Sequence, residues 1–352
     1  ERTRRKWRRF TEGRSPMVID CHVHVAATEP HGSMSARLQN SLPFRFMQWR
    51  LGIRGTEAQK ERALAAKLVR EIAATPRIDA AVVLAFDAVY GHDGAMNARD
   101  THLYVTNDYV IDLARHNRQM LFGCSVHPYR KDAVIELQRC ITAGAVLCKW
   151  LPNTQGINPS DPRCFPLYEV MAHHRLPLLS HTGGETSLPT IDASVADPML
   201  LAAALQRGVR VIAAHCGTHS KPFERDYVPQ FVRLAKEHEH FYGDTSALDL
   251  PTRWYAYDAI LRDAQVRKKL VHGSDWPIIP FAPPGRIGMA AALDLMTEMN
   301  WLQRDVRIKE MLGFDTEYWN RAATVLRLSS DALARHADTS STNIASARRQ
   351  RE

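Results

Sequence analysis

The sequence predicts a single α/β domain, a (β/α)8 or TIM barrel with extra helices after its eighth unit. Three observations carry this prediction. Eight short runs rich in apolar and β-branched residues recur along the 352-residue chain, each followed by a loop-and-helix pattern, the alternation that builds a parallel sheet. The units occupy about 260 residues, close to the roughly 250 such a barrel uses. The glycine-rich phosphate loop that an open, doubly wound sheet carries after its first strand is absent from the sequence.

The strand runs fall at residues 17–25, 80–86, 120–126, 145–151, 177–181, 209–215, 240–245 and 270–275. Residues 57–74 place apolar side chains at helical spacing with charges between them, and Pro76 ends the segment. Further helices are expected over 107–116, 133–143, 166–174, 198–206, 222–238, 254–265 and 287–299. Residues 301–330 continue as helix packed outside the barrel, which sets the domain at 16–330. Residues 331–352 turn to Ser, Thr, Asn, Ala and Arg and read as a polar, frayed tail. The segment 26–55, with Gly, Ser, Pro and aromatic residues, reads as a long first loop, and long loops in compact domains tend to be functional.

Composition sets the class. Hydrophobic residues at 45% and charged residues at 24% exclude wholesale disorder, a collagen-like repeat or a disulfide scaffold. The six cysteines contain no C-x-x-C pair and read as free, mostly buried thiols of a cytoplasmic protein. No run of about 18 apolar residues occurs, so no transmembrane helix is expected. A net charge of +8 would point to nucleic acid or an anionic membrane if it formed one patch. Residues 1–14, however, hold seven basic against two acidic side chains, so +5 of the charge belongs to a leader, 1–15, that reads as a flexible, solvated arm. Trp7 and Phe10 keep membrane contact by this leader open, and nucleic acid is the weaker partner. Because the chain opens at Glu1 rather than Met, an export signal or anchor upstream also stays open, as does a homo-oligomer.

Alternate side chains of a strand share a face, so His22 and His24 in Asp20-Cys-His-Val-His point the same way. In a barrel of this kind the carboxyl ends of the strands carry the chemistry, and Lys149, His181, His215 and Asp275 follow apolar runs at that end. A lone histidine there is ordinarily a buried ring bonded to the backbone. Four histidines and an aspartate at four strand ends are costly to desolvate together unless a divalent metal compensates. Asn153, Glu185, Trp276 and His127 follow strand ends and are candidates to line a substrate pocket, with solvated loop positions the plainer account. His31 is placed to close over the site or to stay exposed, and His173 and His174 read as helix surface. Arg253 and Trp254 are placed either to contact an aromatic or acidic substrate or to pack a helix.

These residues carry a family resemblance. His22-x-His24, His181, His215 and Asp275 in His272-Gly-Ser-Asp-Trp-Pro resemble the metal-dependent barrels of the amidohydrolase superfamily. Lys149-Trp-Leu-Pro-Asn153 and Ser180-His-Thr-Gly-Gly-Glu185 are similar to its amidohydrolase-related branch of hydrolases and decarboxylases, over residues 17–330. The resemblance implies one divalent ion, zinc first and manganese second, held by His22, His24, His181 and Asp275. It leaves His215 off the metal to move protons and gives Asp275 a second duty as base. In binuclear relatives a carboxylated lysine bridges two ions, so Lys149 stands either as that bridge, with a second ion on His181 and His215, or as a cationic anchor for a substrate carboxylate. The implied activity is hydrolysis of an amide, lactone or related carbonyl compound by metal-activated water. The alternative is non-oxidative decarboxylation of an aromatic or muconate-type acid, and a non-catalytic scaffold or nucleic-acid-binding barrel trails both. Either enzyme would act on a small, carboxylated or aromatic molecule.

Overall fold

A computed structural model describes residues 17–328, so the basic leader and the polar tail lie outside the described residues. Eight parallel strands follow one another around the sheet in chain order: β1 (Ile19–His24), β3 (Ala80–Leu84), β5 (Met120–Cys124), β6 (Leu147–Trp150), β7 (Leu178–His181), β8 (Val211–Ala214), β9 (Phe241–Asp244) and β10 (Leu270–Val271). Two short strands, β2 (Gly32–Met34) and β4 (Leu103–Val105), pair antiparallel beside it. The ends of the large sheet meet through backbone bonds from Cys21 N–H to His272 C=O (3.0 Å), His24 N–H to Trp276 C=O (2.7 Å) and Asp275 N–H to His22 C=O (2.9 Å). The expected barrel is therefore present.

Period-two alternation sorts the side chains. Ile19, Cys21, Val82, Leu84, Leu121, Leu179 and Ile212 fill the barrel interior, together with residues of the helix Thr316–Val325 that cover the start of the strands. Ala81, Val83, Phe122, Leu178 and Val211 point outward into the larger core shared with the helices. The helix Glu57–Ala73 opens on a capping box in which Thr56 and Gln59 exchange side-chain bonds with each other's amides. Among the described residues no helix is long and apolar enough to cross a membrane.

Three expectations need correction. The segment 26–55 is not an open loop: it holds β2 and the helices Ala36–Gln39 and Leu42–Leu51, each capped by a serine. Pro43 is a turn signal in a sequence but is well tolerated in a helix's first turn, which is where it sits. The helix expected from residue 222 begins at Val228, because Glu224 folds the preceding chain by accepting the amides of Ser220 and Lys221. The eighth run keeps strand geometry only over Leu270–Val271. Beyond it, Lys309 Nζ takes the Gly273 carbonyl (2.8 Å) and Asp20 Oδ1 takes the Ser274 amide (3.0 Å), so these groups bond to side chains rather than to a ladder.

Candidate metal centre

His22 and His24 leave β1 on one face, with Nε2 atoms 3.0 Å apart. Asp275, turned inward by a left-handed backbone (φ 64°), puts Oδ1 3.3 Å from both of those nitrogens. The three ligand atoms lie within 4.8 Å of one another. Buried His22 is oriented from behind: its Nδ1 lies 2.7 Å from Asp244 Oδ2 and 3.0 Å from Ser246 Oγ. An ionised carboxylate only accepts, so Nδ1 carries the hydrogen and Nε2 presents its lone pair to Asp275 and His24. Burial, then Lys149, pushes the His22 pKa well down and keeps the ring neutral.

His181 at the end of β7 is 1% exposed, and neither of its ring nitrogens has a hydrogen-bond partner among the described residues. Its ring centroid lies 4.9 Å from that of His215, and Glu185 Oε2 approaches its Nδ1 only to 3.7 Å. Polar atoms left unpaired at such depth are costly unless a ligand uses them. Three imidazoles and one carboxylate at the mouth of the barrel fit a divalent ion of the zinc or manganese kind, although His181 stands outside the tight group of three.

His215 follows β8 in a left-handed turn (φ 61°) that swings its ring inward. Its Nδ1 donates to the Ser246 carbonyl (2.9 Å), which leaves Nε2 free, and Asp244 Oδ1 accepts its backbone amide (2.9 Å). Burial, then Arg253, lowers its pKa well below the ordinary value. The Asp275 carboxyl is pushed up by burial, but the hydrogen bond with His24 and the Lys149 cation beside it work against that, and it lies below its ordinary value. Lys149 is buried on β6 with Nζ 3.1 Å from His22 Nε2, and burial brings its pKa down to about 8.

His22, His24, His181, His215 and Asp275 line the floor of a cavity of about 420 Å³, whose walls are mostly apolar and include Phe44, Met47 and Leu51 of the helix Leu42–Leu51. Glu185 and Arg253 also line it. Other candidates do not. Trp276 is 1% exposed in the core, its Nε1 donating to Glu71 (2.9 Å). Asn153 is buried away from the cavity lining, its carbonyl accepting the amides of Ile191 and Asp192. His127 is locked between the Gln155 carbonyl and the Tyr129 amide. His31 pairs with Glu61 and stacks on Tyr109, Trp254 donates to the Asp249 and Phe281 carbonyls, and His173 and His174 are exposed. Asp244 and Ser246, which orient two of the histidines, were not singled out from the sequence. The available signal was the position of Asp244 at the end of the seventh apolar run.

Comparison with known proteins gives the lineage. A family profile described as Amidohydrolase matches residues 19–307. No curated protein matches the sequence. Among solved structures, an uncharacterised TIM-barrel protein from Bordetella bronchiseptica is 15% identical with a TM-score of 0.59, over 92% of this chain and 99% of that one. A candidate 2-pyrone-4,6-dicarboxylic acid hydrolase from Pseudomonas putida is 13% identical with a TM-score of 0.52, over 89% and 98%. A 5-carboxyvanillate decarboxylase from Novosphingobium aromaticivorans, complexed with manganese and 4-hydroxy-3-methoxy-5-nitrobenzoic acid, is 12% identical with a TM-score of 0.52, over 89% and 97%. At these identities the likeness shows the fold alone. The profile match spans most of the barrel, and the chain belongs to the amidohydrolase family.

Proposed function

We propose that this chain is a metal-dependent hydrolase that directs water at the carbonyl of an amide, lactone or related small molecule. The observation that carries the reading is the convergence of His22, His24 and Asp275 on the cavity floor beside the two unpaired nitrogens of His181. These four residues would hold one divalent ion, zinc or manganese, which when bound polarises a carbonyl oxygen and lowers the pKa of water. Asp275, held below its ordinary pKa by the His24 hydrogen bond and Lys149 against the upward push of burial, accepts the proton of the attacking water. His215, neutral and free at Nε2, moves a proton to the departing group, while its Nδ1–H bond to Ser246 fixes the ring. The apolar walls exclude water from the bound body of the substrate.

A second reading, non-oxidative decarboxylation, is favoured by the buried cations Lys149 and Arg253 beside the same floor, which suit a carboxylated substrate. It also matches the chemistry named for the Novosphingobium protein. The test pairs metal analysis with a panel of amides, lactones, esters and hydroxybenzoate-type acids. Hydrolysis with one ion per chain, lost in Asp275→Asn, supports the proposal. Carbon dioxide release with no hydrolysis across the panel, or full turnover in Asp275→Asn, overturns it.

A further inference from the structure

The helix Leu42–Leu51 is apolar on two opposite faces, and only one of them is turned to the barrel. At about 100° per residue, Phe44, Met47 and Leu51 share the face that walls the cavity, whereas Leu42, Phe46 and Trp49 recur at i, i+4 and i+7 on the other. Leu42, Phe46 and Trp49 are 80%, 51% and 62% exposed, and the Phe46 and Trp49 ring centroids lie 5.7 Å apart, so they form one stripe. A single exposed apolar side chain needs no explanation. Three large ones along one helix face mark a surface that meets something apolar.

Charge frames this stripe. Arg45 and Arg50 fall on its two flanks, and the Arg50 guanidinium lies 6.0 Å from the Trp49 ring centroid. Arg37 and Arg54, just outside the helix at either end, are exposed. Between Glu29 and Glu57 the chain carries these four arginines and no acidic residue. None of the four forms an ion pair among the described residues. The first acids that follow are already used: Glu57 pairs with Lys60 (2.7 Å), and buried Glu61 accepts from Thr28 and His31.

A second copy of the chain, related by a two-fold axis, would bring the same arginines from both sides into one contact, with no carboxylate in the segment to separate them. An anionic lipid surface uses both features at once. Leu, Phe and Trp side chains enter the boundary between headgroups and acyl chains, and flanking arginines reach the lipid phosphates. The leader has the same composition, seven basic side chains with Trp7 and Phe10.

We infer that the helix Leu42–Leu51 docks this protein on an anionic membrane. It lies in the plane of the interface, with Leu42, Phe46 and Trp49 in the lipid and Arg37, Arg45, Arg50 and Arg54 at the phosphates. Its opposite face stays on the cavity, so one helix, about 10 Å across, separates the membrane from the space above the metal ligands. An apolar substrate that partitions into the bilayer is thereby concentrated beside that space. The docking is independent of which bond the enzyme breaks.

Flotation of the full-length protein with phosphatidylcholine vesicles, with and without one-quarter phosphatidylglycerol, tests this. Binding to the neutral vesicles should be roughly tenfold or more weaker, and added salt should narrow the difference. The combined change Leu42→Ser, Phe46→Ser and Trp49→Ser alters only exposed side chains, so it should weaken binding by about tenfold or more at an unchanged unfolding midpoint. Arg45→Gln and Arg50→Gln should each cost about fivefold on anionic vesicles. Brominated lipid should quench the tryptophan fluorescence of the wild-type protein, and less so in Trp49→Phe. Failure of the wild-type protein to float with anionic vesicles overturns the inference. So does full binding by the triple variant, which would place the contact on the leader, or a wild-type dimer that the triple variant turns into monomers in sedimentation, which would assign the stripe to a second copy. Should the triple variant lose its fold, unchanged quenching in Trp49→Phe overturns the inference by itself.

Discussion

Replacing Asp244 by Asn changes one atom and tests how the centre is built. Asp244 Oδ1 accepts the amides of His215 (2.9 Å) and Ser246 (3.1 Å), and Oδ2 accepts from His22 Nδ1 (2.7 Å). The side chain is fully buried, so an asparagine there cannot turn to water. Two backbone donors fix its oxygen on the Oδ1 side, which directs its NH2 group at His22 Nδ1. His22 must then accept at Nδ1 and carry its hydrogen on Nε2, the atom that faces His24 and Asp275. A protonated Nε2 offers no lone pair to a metal. Loss of a carboxylate behind a ligating histidine typically costs 10- to 100-fold in metal affinity, or about 1.4–2.8 kcal/mol. Competition with a chromophoric chelator measures that shift, and nitrogen-15 spectra of the histidines report the tautomer. Thermal unfolding of the chelated proteins controls for a general loss of stability. Wild-type affinity together with an unchanged His22 tautomer in Asp244→Asn would refute the reasoning.

Other expectations follow from the same geometry. Trp276→Phe removes one of two donors to Glu71 Oε2, the Trp301 amide remaining, so it should lower stability by about 0.5–1.5 kcal/mol in denaturant while leaving KM unchanged; a raised KM without destabilisation would return Trp276 to the substrate pocket. Burial, then Arg130, outweighs the Gln155 bond and pushes the His127 pKa from 6.5 to about 4, so the unfolded chain takes up a proton that the folded one refuses. Stability should therefore fall between about pH 6.5 and pH 4 by up to about 3 kcal/mol from this residue, and the loss should be smaller in His127→Asn. Lys149→Gln should leave one ion per chain by metal analysis, with or without bicarbonate; a second ion in the wild-type protein that needs bicarbonate and vanishes in the variant would establish the carboxylated bridge.

The barrel was legible because short, continuously apolar runs such as β3 and β8, each followed by a helical pattern, are local signals that a sequence displays directly. His22 and His24 were legible for the same reason, being two apart on one strand. Arrangements of residues distant in sequence were not. Nothing local indicates that Asp244, 222 residues from His22, fixes the tautomer of that ring. Nor does a polar residue after a strand reveal which way it turns: Glu185 faces the cavity, while the neighbouring positions Asp275 and Trp276 diverge, one to His22 and His24 and one to the core. The helix Leu42–Leu51 was hidden by Pro43, and its part in walling the cavity depends on how residues 26–55 fold back over the barrel.

Asp275 reaches the His22–His24 pair by a local structure that the sequence did not display. It was placed at the end of an eighth strand, yet that strand stops at Val271 and the carboxylate arrives through a left-handed turn. The turn is held from outside the centre. Asp20 takes the Ser274 amide, Lys309 takes the Gly273 carbonyl while paired with Asp305, and Glu71 takes the Trp276 indole. Asp20 belongs to β1, but Glu71 and Lys309 are buried on the helices Glu57–Ala73 and Trp301–Met311, so their two bonds persist only while those helices stay docked on the barrel. The helix Trp301–Met311, in a segment which the sequence presents as an addition after the eighth unit, is thereby part of what sets the position of the Asp275 carboxylate. Loosening that helix should weaken metal binding before it unfolds the sheet, because the interior apolar layer of the barrel does not depend on Lys309, whereas the Asp275 turn does.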